Sequence, residues 1–451
     1  MRNREISFVN VVLCLLVMWI HICSVAVTGL PKENISFFGV YVPWRLSAFV
    51  VQGFIFLSAL KYFRKEGAFS YGSFLWGRIR KIGVPYVIAV IISYLGLIDL
   101  GYYTFDAGFL GESLLLGNMI APFYFIIIIF QFYILMPLWR KMTEKVDFWV
   151  AALASVMLMR LFHSGLPAMI GMISPGTEFI YNDRVFTSYL AYWVLGCYAG
   201  KYYDRFLEGI RKNQGVLLTG FVIFVLTDGL LSYANNCGFF RVSFLEDVHT
   251  LYVFCAILFV FWLGKKIADR VMAWKVVQGI DRMSFYLYLY HGIFLYYVQD
   301  AFLNRFGVGP AKGLLLRAVC CYGMTAVVGL LAWYWKKEKG ETKPMKILLT
   351  IAYDGTRYSG WQKQKSPEVL TVEGEVEKAL RTLFRNPELE CIGASRTDRG
   401  VHALGQRAVI DVESYHSAGK NSLWLSDPFL PEDIVVTAAR EVPGDFHPRY
   451  D

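Results

Sequence analysis

The chain has no CxxC pair and no Cys/His spacing of the kind that holds zinc, although it carries eight cysteines; motif-borne redox and zinc sites are therefore excluded. No internal repeat is visible, which weighs against transporter folds built from duplicated halves. Charge is scarce as well. Only 18% of the 451 residues are Asp, Glu, Lys or Arg, against 56% hydrophobic and 17% aromatic. With a mean hydropathy of +0.42, this composition lies outside that of ordinary soluble domains, and most of the chain suits a bilayer.

What charge there is divides unevenly near residue 340. Residues 345–451 hold 13 Lys and Arg against 16 Asp and Glu, a net −3, whereas the first 344 residues hold 32 against 20, a net +12. The tail therefore lacks a general electrostatic pull on nucleic acid, and the basic excess of the first part is read as membrane topology. The expected organisation is a membrane domain over 1–335, a solvated linker over 336–344 and a small α/β domain over 345–451. Lys336 to Pro344 is a short charged stretch, and Met345-Lys346-Ile347 resembles the product of a start codon.

Ten stretches are long and apolar enough to cross a hydrocarbon core of about 30 Å. They lie near 6–28, 40–60, 82–100, 122–139, 147–165, 186–200, 214–234, 248–264, 283–299 and 313–335. The first follows Arg2 and Arg4 as a signal peptide would, but nine later spans favour an uncleaved anchor. Basic residues cluster after even-numbered spans: Lys61, Arg64, Arg78, Arg80 and Lys81 after the second, Arg140, Lys141 and Lys145 after the fourth, Lys201 and Arg205 after the sixth. By the positive-inside rule both termini are expected in the cytoplasm of a bacterial-type cell, the tail among its tRNA.

Ionisable groups inside spans are costly and are candidates for function. His21, Arg45, Arg160, His163 and Asp228 fall in the halves expected to face outward, where a polar site would use them, and His291 lies mid-span in SFYLYLYHG. The competing reading is structural: a hydrogen-bonded core histidine, or paired charges.

Residues 4–335 resemble the acyltransferase 3 family. The resemblance rests on VMWIHI ending the first span, FVVQGFIFLSAL (Phe49 to Leu60), FLWGRIRKIGVPY (Phe74 to Tyr86), FYFIIIIFQFYILMPLW (Phe123 to Trp139), YLAYWVLGCYAGKYYDRF (Tyr189 to Phe206) and MSFYLYLYHGIF (Met283 to Phe294). It implies transfer of an acyl group, acetyl above all, from cytoplasmic acyl-CoA to an extracytoplasmic glycan, with no bound cofactor. It also implies His21 as the catalytic residue, a histidine being suited to general-base work near neutral pH, and makes Arg78 and Arg80 candidates for the acyl-CoA phosphates. Asn10 stands where the family often has Arg, and Ser58-Ala59 where Ser-Gly is common. A glycan or lipid transporter is the alternative.

In the tail, KILLTIAY reads as a strand closed by an Asp354-Gly355 turn. Thr371 is placed to cap a helix whose Val372, Val376, Ala379, Leu380 and Leu383 recur with helical spacing. Strands near 389–393 and 406–412 flank a loop, and the β-α-β-β order is that of half a ferredoxin-like α+β unit. In the loop, SRTDRG sets Asp398 between Arg396 and Arg399. A carboxylate so held can act on an RNA substrate as nucleophile or base; a salt-bridged turn is the other reading.

The tail is similar to the N-terminal part of the tRNA pseudouridine synthase A family in YDGTRYSGWQ (Tyr353 to Gln362), TVEGEVEKAL (Thr371 to Leu380), SRTDRGVHALGQ (Ser395 to Gln406) and LPEDIVV (Leu430 to Val436). The resemblance implies that Asp398 is the catalytic aspartate, that the target uridine is flipped from a tRNA anticodon stem-loop without metal or cofactor, and that the tail forms a homodimer. Arg357, Lys363, Lys365, Arg396 and Arg399 become candidate phosphate contacts, and Arg399 stands where a small residue is commoner. The family's chain continues about as far again beyond Asp451, so unaided pseudouridine formation is not expected. An RNA-modifying enzyme with a membrane anchor is the third overall reading.

Overall fold

The computed structural model describes residues 3–64, 69–174, 180–340, 345–364, 369–384, 386, 388–412, 429–443 and 446–449. The chain divides into two compact units, Met1–Trp333 and Tyr334–Asp451.

The first unit is helical. Its helices are α1 (Arg4–Gly29), α2 (Ile35–Ser47), α3 (Val50–Phe63), α4 (Tyr71–Arg78), α5 (Val84–Asp99), α6 (Ala107–Leu116), α7 (Tyr124–Ile134) and α8 (Met136–Lys145). They continue as α9 (Phe148–Ile173), α10 (Leu190–Lys201), α11 (Tyr203–Lys212), α12 (Gln214–Asn236), α13 (Leu245–Val271), α14 (Lys275–Tyr297) and α15 (Pro310–Gly340). Short polar side chains start several of them by accepting otherwise orphaned backbone N–H groups: Asn3 from Ile6, Asp106 from Gly108 and Phe109, Asp147 from Trp149.

Among the described residues seven helical stretches are long and apolar enough to cross a membrane, or eight if the bent pair Ala107–Leu116 and Ala121–Ile134 is one span. The expectation of ten is therefore corrected. α10, over the expected span 186–200, has only 12 residues because its first turns are 3-10. α14 is long enough, but its tyrosines, Asp281, Arg282 and His291 dilute its hydropathy below that of a lipid-facing helix. The basic segment with Arg78, Arg80 and Lys81, expected as a loop, instead lies inside the continuous stretch Tyr71–Asp99, where a π-helical turn (Ile79–Gly83) joins α4 to α5. α15 runs on to Gly340, into the stretch 336–344 expected as linker, and 341–344 lie outside the described residues.

α10 crosses α3 with almost no side chain between them. A Cβ at Gly196 would sit 2.5 Å from the Phe56 carbonyl oxygen, and one at Gly200 2.5 Å from that of Leu60. This small-xxx-small spacing lets two apolar backbones touch where no hydrophobic effect drives association.

In the second unit four antiparallel strands, β1 (Met345–Tyr353), β2 (Cys391–Gly393), β3 (Ala403–Val412) and β4 (Ile434–Val442), lie in the order β2-β3-β1-β4. Alternate β1 residues Ile347, Leu349 and Ile351 pack with Val372, Val376 and Leu380 of α16 (Val372–Phe384), as the two periodicities require. Thr371 Oγ1 caps α16 by accepting from Gly374 N–H at 3.3 Å.

Gly196→Leu should drive α10 off α3. We expect about 1–3 kcal/mol or more of destabilisation from overpacking, read as a lower melting temperature of the detergent-solubilised protein; an unchanged melting curve would refute the close packing.

Candidate active sites

Two centres emerge, one in each unit. In the helical unit, α1 carries His21 and α14 carries His291, and their rings lie 5.2 Å apart. His291 is fully buried. Its Nδ1 faces the backbone carbonyls of Leu287 (3.1 Å) and Tyr288 (2.8 Å), so Nδ1 holds the proton and donates. Its Nε2 is then a buried acceptor with no partner, an arrangement that costs free energy unless a ligand or water meets it.

Arg317 of α15 holds the other histidine in place. Its guanidinium donates to the carbonyls of Ile22 (3.1 Å) and His21 (2.7 Å), to Ser24 Oγ (3.3 Å) and to Gln299 Oε1 (2.9 Å). His21, Ser24, Tyr102, Gln299, Asp300 and Arg317 line a cavity of about 250 Å³. Base, cation and hydroxyl or carbonyl acceptors thus converge where a small polar substrate fits. Arg317 was missed in the sequence, although a lone arginine inside an otherwise apolar span was signal enough.

A second, smaller cavity of about 130 Å³ is lined by Asn10, Ser58, Tyr133, Ser284 and Tyr288. Asn10 donates to Asp281 (2.9 Å) and to Ser284 Oγ (2.8 Å) and accepts from Lys61 (3.1 Å). Close by, Arg78 bonds the Tyr62 hydroxyl and stacks on Tyr62 and Phe74, and Tyr62 meets Tyr133 edge-on. Arg80 is exposed. The Tyr288 hydroxyl donates to the Pro122 carbonyl, and Pro122 lines the His21 cavity.

The remaining candidates lie apart from His21. Arg45 pairs with Asp228 at 3.2 Å, and Asp228 also meets His249 Nδ1 at 3.0 Å; Asp228 is fully buried. His249 was not singled out in the sequence, because its place in the first turns of α13 looked like a helix end. Arg160 pairs with Asp247, and His163 lies beside Asn182 on an exposed stretch of α9. The residues expected to face outward therefore form separate polar groups.

In the sheet unit the Asp398 loop is pinned on both sides. Gln406 holds Ser395 through Oγ (2.9 Å) and carbonyl (2.7 Å). The Tyr353 hydroxyl meets Thr397 Oγ1 at 2.7 Å, and the Thr397 carbonyl accepts from Trp361 N–H. Gly400 N–H reaches the Tyr358 carbonyl. Gly360 makes this approach possible, with φ +92° and space for no Cβ, since one would lie 2.5 Å from the Thr397 oxygen. Asp398, Arg396 and Arg399 stay exposed at the tip, and among the described residues no ion pair links them.

The other phosphate candidates are engaged. Arg357 pairs with Asp433 at 2.7 Å, and Lys363 with buried Glu377 at 2.9 Å, alongside Arg381 at 3.0 Å; Lys365 lies outside the described residues. Asp433 also accepts from the Tyr358 hydroxyl at 2.8 Å. Burial pushes its carboxyl up, but the bonds from Tyr358 and Arg357 outweigh that and hold it below the ordinary range. Among the described residues no group of three His, Cys, Asp or Glu is arranged to hold a metal ion.

An acyltransferase-domain family model matches residues 3–334. The chain belongs to that acyltransferase family. A tRNA pseudouridine synthase model matches residues 349–451. The tail is 45% identical over 105 residues to tRNA pseudouridine synthase A 2 of Clostridium tetani, which covers 23% of this chain and 42% of that protein. It is 48% identical over 104 residues to tRNA pseudouridine synthase A of Caldicellulosiruptor saccharolyticus (23% and 41%) and 44% identical over 107 residues to that of Aeromonas salmonicida (24% and 38%). The chain thus spans about two fifths of the length of these curated relatives. The family's acyltransferase region takes in both histidines, Arg317 and both polar cavities; the synthase region takes in the pinned Asp398 loop.

Because Asp433 has a lowered folded-state pKa, its stabilisation is complete above the ordinary aspartate value of about 3.9 and is lost as pH falls through the lower folded value. Pepsin cleavage within the tail should rise across that window, and Asp433→Asn should make the tail cleavable already at pH 4.5. Identical cleavage profiles for both proteins would sink this account.

Proposed function

We propose that the acyltransferase unit moves an acyl group, acetyl in the simplest case, from cytoplasmic acyl-CoA to a hydroxyl of an extracytoplasmic glycan. The observation that carries this reading is the meeting of His21 and Arg317 on one 250 Å³ cavity, with the His291 ring 5.2 Å from that of His21. His21 serves as the general base. It takes the proton as the glycan oxygen attacks the thioester carbonyl; the new C–O bond forms, the C–S bond breaks, and the proton ends on the departing CoA thiolate. Arg317 positions His21 by bonding its carbonyl. His291 offers a free Nε2 lone pair to an incoming hydroxyl.

Arg78 and Arg80 are assigned to the CoA phosphates, with the Asn10 cavity receiving the arm of the thioester. The orientation that suits this has both termini in the cytoplasm, on the side of Lys61, Arg64, Arg140, Lys141 and Lys145. Donor and acceptor are substrates, and the unit holds no cofactor. A transporter reading would show glycan flux without acylation.

For the tail we propose action on uridine in a tRNA anticodon stem-loop, with Asp398 as the catalytic carboxylate and Arg396 and Arg399 meeting phosphates. Its support is the exposed Asp398 on a loop fixed by the conjunction of Tyr353, Tyr358, Trp361 and Gln406. Pairing of two tails as a homodimer belongs to the same reading.

Label from radioactive acetyl-CoA should appear in membrane glycan, and His21→Ala should lower the rate by about 10²- to 10⁴-fold, the usual worth of a positioned base; undiminished labelling would refute its role. In a host lacking the synthase, this chain alone should leave the tRNA without pseudouridine; restoration that is lost in Asp398→Asn would instead support an RNA-modifying enzyme with a membrane anchor. Pseudouridine that persists in Asp398→Asn would overturn the assignment.

A further inference from the structure

A cavity of the helical unit larger than either polar cavity lies away from both centres. It occupies about 580 Å³ between α3, α10, α13 and the start of α9. Its floor is apolar, with Phe56, Ala199 and Ile257 buried and Leu258 half-buried. At its opening stand Asp147, Tyr202 and Arg205, all exposed. An apolar hollow of this size forfeits dispersion contacts on every wall and offers water few partners. In a membrane protein the filler at hand is a hydrocarbon chain.

The opening carries the marks of the head-group layer. α11 is amphipathic: Tyr203 and Ile210 are buried and Phe206 and Leu207 half-buried, while Asp204, Arg205, Glu208, Arg211 and Lys212 are exposed. A helix with such faces lies along an interface. Trp149 and Tyr202 stand 75% and 43% exposed beside the opening, as aromatic residues do at the membrane surface.

Charge at the opening selects the head group. Glu208 is spent on Lys212 at 3.0 Å, and Asp147 is spent on capping α9 through Trp149 N–H. Arg205 is held only by stacking at 5.7 Å over Tyr202 and has no ion pair among the described residues. Lys201 also lies over the Tyr202 ring, at 5.4 Å, and donates to the Thr143 carbonyl. A guanidinium with its fork unoccupied, above an apolar hollow, fits a phosphate diester with an acyl chain below it.

We propose that this cavity binds one acyl chain of a bilayer phospholipid, with the lipid phosphate held at Arg205. The site is separate from the His21 cavity and does not depend on the acyl-transfer reading.

The full chain in dodecylmaltoside, stripped of lipid, is titrated with phosphatidylglycerol or with digalactosyldiacylglycerol of the same chains, and bound lipid is counted by native mass spectrometry. One phosphatidylglycerol per chain should bind tightly and the phosphate-free glycolipid more weakly. Arg205→Gln, at an exposed position, should weaken phosphatidylglycerol about tenfold and leave the glycolipid unchanged. Ala199→Phe and Leu258→Trp, which fill the hollow, should abolish tight binding of both. Equal binding of the two lipids to the unaltered chain, or full retention in Arg205→Gln or in a folded cavity-filling variant, overturns the proposal. So does displacement of phosphatidylglycerol by stoichiometric palmitoyl-CoA, which would make the cavity an acyl-donor site.

Discussion

A guanidinium inside an apolar helix bundle must be met by acceptors, and the geometry around His21 follows from how Arg317 meets that demand. Arg317 is 5% exposed and bonds two carbonyls of α1, one hydroxyl and one amide oxygen. Each such bond to a charged donor contributes about 1.5–3 kcal/mol, and leaving the charge unmet costs more. Because two acceptors are the carbonyls of residues 21 and 22, α15 cannot shift along α1 without stranding the charge. The backbone that carries His21 is thereby fixed at the cavity wall. A lysine there would supply the charge without the fork that spans four acceptors.

The tail solves a different problem, holding an exposed carboxylate still. The Asp398 tip makes no ion pair of its own among the described residues, so its position is set by neighbours on three separate segments: Tyr353, Tyr358 and Trp361 on one side, Gln406 on the other. Asp433 on a fourth segment anchors Arg357 and Tyr358 in turn. The residues around Asp398 thus have structural duties, and the two guanidiniums beside it remain free to face solvent.

Much of this was legible in the sequence. Hydropathy marked the membrane unit, and the period-2 and helical patterns found β1, α16 and β3 within a few residues. His21 and His291 were singled out as costly intramembrane groups, and they do meet. The misses have physical causes. Hydropathy counts apolar length, so it cannot see that α10 begins in 3-10 turns or that Arg80 sits in a π-helical turn of a continuous helix. Pairing across 183 residues, as between Arg45 and Asp228, leaves no trace in local pattern. Arg357 and Lys363 looked like phosphate contacts because their partners, Asp433 and Glu377, lie 76 and 14 residues away.

The two polar cavities bear on how the proposed reaction is organised. A thioester entering beside Arg78 would reach the Asn10 cavity first, while the base lies in the other. Tyr288 lines the first, Pro122 lines the second, and the Tyr288 hydroxyl is bonded to the Pro122 carbonyl. His291 follows Tyr288 by three residues on α14, its Nε2 has no partner, and its ring lies 5.2 Å from that of His21. One hydrogen bond thus joins the linings of the two cavities. Opening costs little when the freed hydroxyl gains a substrate oxygen in exchange.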